Sequence, residues 1–285
     1  MVEVTCRTIQ GRFLLKPSRR LNQIVLGVLG RAQRKYPIAL VGYVFLSNHY
    51  HLMLWAPNAH TLATFMNFFN ANLAKEAGRL ANWREKFWGR RYQAIIVSNE
   101  PAAQIARLKY LLSHGVKEGF VRRPEDWPGV HAAQGILDEN PREGTWVNRT
   151  KAYSARMRGK KLPKKELESI ETVTLSPLPC WSHLEKPIYG ERIAELIGAI
   201  ERAGRTNHPV PNLPQSRHER PIWSTGSPAP YFHCASKSVR RELLEAYCWF
   251  VSAYRDATKR LSRGDPSPAF PQGSFPPPLP YVAHA

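Results

Sequence analysis

Cysteine is scarce in this 285-residue chain: Cys6, Cys180, Cys234 and Cys248 are scattered and form no Cys-x-x-Cys pair. A zinc site built on paired thiolates is therefore not expected. Without a secretion signal at the N-terminus, the thiols are expected to stay reduced in a cytoplasmic setting. Long apolar runs are also missing. The longest, residues 38–46, falls far short of the ~20 residues that span a bilayer, so no membrane partner is expected. Acidic residues are in short supply, 22 Asp+Glu against 41 Lys+Arg, which leaves a formal charge of +19. A field of that sign points to a polyanion such as nucleic acid.

Hydrophobic residues make up 43% of the chain, enough for a packed core. Proline is uneven, with 7 of 24 before residue 151 and 17 after it. That shift, with the basic stretch 151–165, places a boundary near 145–165. Two domains are expected, 1–150 and a basic, Pro-rich, partly helical extension over 151–285. The first reads β-α-β-β-α-β-α. Strand patterns over 2–9, 38–46, 49–55 and 92–97 alternate with helical patterns behind Ser18, over 62–80 and from Pro101 to about Gly115. This order fits an α+β, ferredoxin-like antiparallel sheet with helices on one face. In the extension, Val239, Leu243, Tyr247, Phe250, Tyr254, Ala257 and Leu261 recur at helical spacing and predict a long helix over 236–262. The tail after Gly264 is Pro-rich with Phe270, Phe275 and Tyr281 interleaved, and is expected to be extended.

Two constellations can carry chemistry. On a strand, His49 and His51 share a face while Tyr50 points away. They can converge on one divalent ion, or be two hydrogen-bonded core histidines. On the helix from Pro101, Ile105, Leu108, Leu111 and Leu112 form the apolar arc, while Tyr110 and His114 lie one turn apart on the other side beside Arg107. A tyrosine there either projects its hydroxyl toward a partner or is plain surface. The mix of Trp88, Arg90, Arg91 and Tyr92 has the composition of a single-strand binding surface, and Lys117, Arg122 and Arg123 follow the tyrosine helix closely enough for backbone contacts. The histidines of the extension, His183, His208, His218 and His233, show no ligand spacing.

The stretches Tyr43-Val44-Phe45-Leu46-Ser47-Asn48-His49-Tyr50-His51-Leu52-Met53-Leu54, Phe87-Trp88-Gly89-Arg90-Arg91-Tyr92 and Leu108-Lys109-Tyr110-Leu111-Leu112-Ser113-His114 together resemble the single-tyrosine HUH transposases, in particular the REP-associated tyrosine transposases. The resemblance covers about residues 1–135. It implies an antiparallel core with His49 and His51 on a central strand, and Tyr110 as nucleophile. It also implies a third metal ligand one turn later, where the family commonly carries Gln or Asn and this chain has His114. An Asn-Pro pair that often follows in the family is absent here.

The resemblance implies a transposase-like activity, DNA transposition and recombination through single-stranded DNA cleavage. It implies a divalent cofactor, Mg²⁺ or Mn²⁺, and a single-stranded or hairpin DNA partner. A monomer or homodimer in the cytoplasm, associated with the nucleoid, fits that role. A phenol of pKa ~10 is a weak nucleophile at neutral pH, so cations near Tyr110 should help it attack a phosphodiester and leave a 5′-phosphotyrosine and a free 3′-hydroxyl. The other reading is a domesticated, catalytically idle nucleic-acid-binding protein on the same fold.

Overall fold

A computed structural model describes residues 1–137, 140–205 and 230–277. His208, His218 and Tyr281 lie outside the described residues. The chain begins β1 (Val2–Arg7), α1 (Arg19–Lys35), β2 (Ala39–Phe45), β3 (His49–Trp55), α2 (Ala59–Leu80), β4 (Gln93–Val97) and α3 (Pro101–Leu112), the order that the hydrophobic periodicity predicts. Local chemistry sets the helix starts. Ser18 accepts from the Leu21 amide (3.2 Å) and Asn58 from the Thr61 amide (2.8 Å), and Pro101 opens α3, where its missing N–H costs nothing.

The sheet order is β2-β3-β1-β4-β7, with β1, β2, β3 and β4 pairing antiparallel. β7 (Phe232–His233) adds a short parallel strand beside β4, so the complete sheet is mixed. Because side chains alternate along a strand, the two faces differ. One carries Phe45 and Tyr50 under Phe69 of α2, with ring centroids 5.3 to 6.1 Å apart, and α1 lies alongside α2 through Tyr36 and Phe65. The other carries His49 and His51 and is met by α3. The expected helices on one face are thus α1 and α2. The tyrosine helix, which follows that unit, takes the opposite face, where Leu108 and Leu111 close over Gly42.

The rest of the chain contributes α4 (Ala132–Leu137), β5 (Arg142–Val147), α5 (Arg149–Met157), α6 (Lys164–Leu167), β6 (Glu168–Val173), α7 (Lys186–Arg205) and α8 (Lys237–Ser262). β5 and β6 pair antiparallel and lie against α1, so residue 150 falls inside a paired unit. The approach is close: a Cβ on Gly27 would sit 2.1 Å from the Thr145 carbonyl oxygen, and one on Gly144 2.1 Å from the Gly27 nitrogen. Only glycine at both positions lets helix and strand backbones touch. α7 buries Ile193, Leu196, Ile197 and Ile200 against the core that includes α3.

Candidate active site

β3 presents His49 and His51 on the α3 face, and the turn after α3 brings in His114. One ligand atom from each lies within 4.8 Å of the others. The His51 and His114 rings are stacked at 4.5 Å between centroids, and His49 stands 5.2 Å from His51 and 6.0 Å from His114. Such crowding disfavours positive charge on His49 and His114. Burial, reinforced by the neighbouring rings, pushes His49 down to about 3. His114, 2% exposed, is pushed down to about 4, chiefly by burial.

Hydrogen bonds fix which nitrogen of each ring faces the centre. His51 Nδ1 meets the Glu3 carboxylate at 2.8 Å, and His114 Nδ1 meets Glu118 at 3.0 Å. The Asn48 amide donates to the Gly11 carbonyl (3.2 Å), turning its oxygen onto His49 Nδ1 at 2.6 Å. An acceptor opposite every Nδ1 makes it the protonated nitrogen and leaves the Nε2 lone pair outward. Lys117 Nζ, 3.3 Å from His114 Nε2, uses one of those lone pairs. Three imidazoles whose Nδ1 atoms are held by oxygen acceptors form a donor set suited to a first-row divalent ion.

Tyr110 stands beside this set, its ring 4.9 Å from His114 and 6.0 Å from His51. It is 38% exposed, unlike the buried His51 and His114 beside it. Two cations pack on its ring: Arg107 Cζ lies 3.7 Å and Lys117 Nζ 3.5 Å from the ring centroid. Arg107 is also ion-paired with Glu3, and so bridges the strand carboxylate and the tyrosine. Arg90 and Arg91 are exposed and, with Arg7 and His49, line a cavity of about 290 Å³. Tyr92 faces a second groove with Trp88, Asn67 and Asn70. Arg122 is exposed. Arg123 sits instead on Glu125 and Glu201, each at 3.3 Å.

Of the two supporting carboxylates, Glu3 is not apparent from the sequence. Glu3 is 2% exposed. Burial favours its neutral form, but hydrogen bonds from His233, His51 and Arg107 outweigh this and hold its carboxyl far below the usual range. Nothing in β1 sets Glu3 apart, because its partners come from three distant elements. Glu118 carried a usable signal, since it lies four residues beyond His114, the spacing of one helical turn. His131, fully buried behind His114, accepts from the Ala133 amide at 3.0 Å.

The family described as "Transposase IS200 like" matches residues 8–111, a span that holds His49, His51 and Tyr110 and stops short of His114. No curated protein matches. Among solved structures, a REP-associated tyrosine transposase bound to a REP hairpin is 16% identical, with a TM-score of 0.38, covering 48% of this chain and 78% of that one. No described helix is long and apolar enough to cross a membrane. Over residues 8–111, which carry the paired histidines and the tyrosine, this chain is similar to the IS200-like transposases, a family of DNA-processing proteins.

Proposed function

We propose that the chain is a metal-dependent single-stranded DNA endonuclease and strand transferase that cleaves hairpin-forming DNA through Tyr110. The observation that carries this reading is Tyr110, partly exposed, standing beside three clustered imidazoles. His49, His51 and His114 would hold the ion through Nε2, with Lys117 giving up its place on His114. When bound, a divalent ion supplies charge neutralisation for the non-bridging oxygens of a scissile phosphate.

The protein's own groups do the rest. Arg7, Arg90 and Arg91 draw the phosphate backbone along the cavity that His49 also lines. The stacked cations Arg107 and Lys117 favour the negative charge that builds on Tyr110 as its proton passes to water. The tyrosine oxygen then bonds to phosphorus and the bond to the 3′-oxygen breaks. That oxygen takes a proton and leaves as a 3′-hydroxyl, while the 5′-phosphate stays on Tyr110. Attack by another 3′-hydroxyl reverses the step and joins a new strand with no nucleotide cofactor.

Incubation of the full chain with labelled single-stranded hairpins and Mn²⁺ or Mg²⁺ tests this. A covalent protein–DNA band on a denaturing gel is expected, abolished by a chelator and by Tyr110→Phe, while the variant keeps hairpin affinity within a few-fold. An adduct that survives Tyr110→Phe overturns the assignment and moves suspicion to Tyr92. Tight hairpin binding with no adduct under any metal identifies the idle binder.

A further inference from the structure

The C-terminal arm reaches the carboxylate behind the histidine cluster through His233. β7 pairs with β4 in the register Ile96 to Phe232 and Val97 to His233. The arm is pinned on either side of that pair. The Ser98 amide donates to the His233 carbonyl at 2.8 Å. The Glu100 carboxylate accepts from the amides of Ala235 (2.8 Å) and Ser236 (2.9 Å). Parallel register puts the His233 side chain on the same face as Glu3, and it spans β4 to place Nε2 2.9 Å from Glu3 Oε2.

Glu3 therefore divides its two oxygens. Oε1 takes His51 Nδ1 at 2.8 Å and Arg107 Nη2 at 2.8 Å, while Oε2 takes His233 and lies in ion-pair contact with Arg107 Nε, which makes no hydrogen bond. A buried carboxylate keeps one orientation only while its lone pairs are satisfied on both sides. Without His233, Oε2 loses a buried donor and the carboxylate is free to turn onto the Arg107 fork, away from His51. Ligand histidines depend on such acceptors for ring orientation and basicity.

We infer that His233 is a positioning residue for the metal site, acting through Glu3 on His51, so that a docked C-terminal arm completes the centre. The inference rests on the metal reading above. The test is Mn²⁺ binding to the full chain, by calorimetry and by loss of the free-ion electron paramagnetic resonance signal, in wild type, His233→Ala and His233→Gln. Melting temperature and hairpin affinity in a chelator serve as references.

His233→Ala should weaken Mn²⁺ binding on the order of 10- to 100-fold, with chelated hairpin affinity unchanged. His233→Gln, which keeps an N–H donor at a similar reach, should recover most of the loss. If the alanine variant melts early, the folded glutamine variant carries the comparison. Equal Mn²⁺ affinity in wild type and His233→Ala overturns the positioning role alone. A folded His233→Gln that binds as weakly as His233→Ala also overturns it and leaves His233 as an arm-docking group. Wild type that binds no Mn²⁺ overturns the metal reading, and this inference falls with it.

Discussion

At the scale of single residues, the site runs on hydrogen-bond direction. Each of the three clustered histidines meets an oxygen through Nδ1, and the same oxygens decide which lone pair is offered. His114 in place of an amide should tilt the metal preference toward Mn²⁺, because imidazole suits a transition-metal ion better than the harder Mg²⁺. Cleavage rates against each metal should show His114→Gln moving toward Mg²⁺, and superimposable profiles would count against a ligand role. The buried histidines also set an acid limit. His131 is pushed down to about 3 and His49 likewise by burial, and His114 to about 4, whereas an unfolded histidine titrates near ~6.5. Below that value the unfolded chain holds more protons, so stability rises with pH. It is fully present above pH ~6.5 and is lost as pH falls toward 4 and then 3. Melting temperatures of metal-free protein from pH 7.5 to 4.5 should fall, and His131→Asn, which keeps an acceptor for Ala133 but does not titrate there, should flatten the fall.

Among the elements, the contact between α1 and β5 is the most demanding. Gly27 and Gly144 meet backbone to backbone, where a Cβ would lie 2.1 Å from main-chain atoms. Gly27→Ala should therefore force the elements apart and destabilise by roughly 1–3 kcal/mol or more. Gly190, in α7, has nothing within 4 Å of an added Cβ, so Gly190→Ala should stabilise by about 0.5–1 kcal/mol. Denaturant midpoints of the two variants moving in the same direction would show that the close approach does not constrain the fold. β6 is tied to α1 by charge as well, since buried Glu171 accepts from Arg31 at 3.2 Å and Arg34 at 3.0 Å. A cut after residue 150 would strip β5 of its partner and leave both arginines without that carboxylate.

For the whole molecule, a charge of +19 acts on DNA only where it is not already neutralised. Arg90 and Arg91 are exposed beside His49, whereas Arg123 is committed to Glu125 and Glu201. In plots of log K against log salt for a single-stranded hairpin flank, losing a phosphate contact lowers the slope by about 0.7. Arg90→Ala and Arg91→Ala should each show that change, and Arg123→Ala should leave the slope as it is. An equal change in all three would mean that the basic surface acts as a diffuse field rather than a track.

Periodicity and capping in the sequence determined α1, α2, α3 and α8, and the alternation around Ser47-Asn48 determined the hairpin of β2 and β3, because these signals are local and repeat over many residues. The same alternation put His49 and His51 on one face, and helical spacing put Tyr110 one turn from His114. β5, β6 and β7 were decided by tertiary contact. β5 and β6 are too polar to show a period and β7, at two residues, is too short, and they exist because α1 and the β4 edge offer them partners. Glu3 shows the same limit within the site. Its neighbours in sequence are ordinary strand residues, and only folding brings His51, Arg107 and His233 onto one buried carboxylate. A buried charge takes its meaning from partners that are distant along the chain, so the groups that orient the ligands emerge only once the chain has folded.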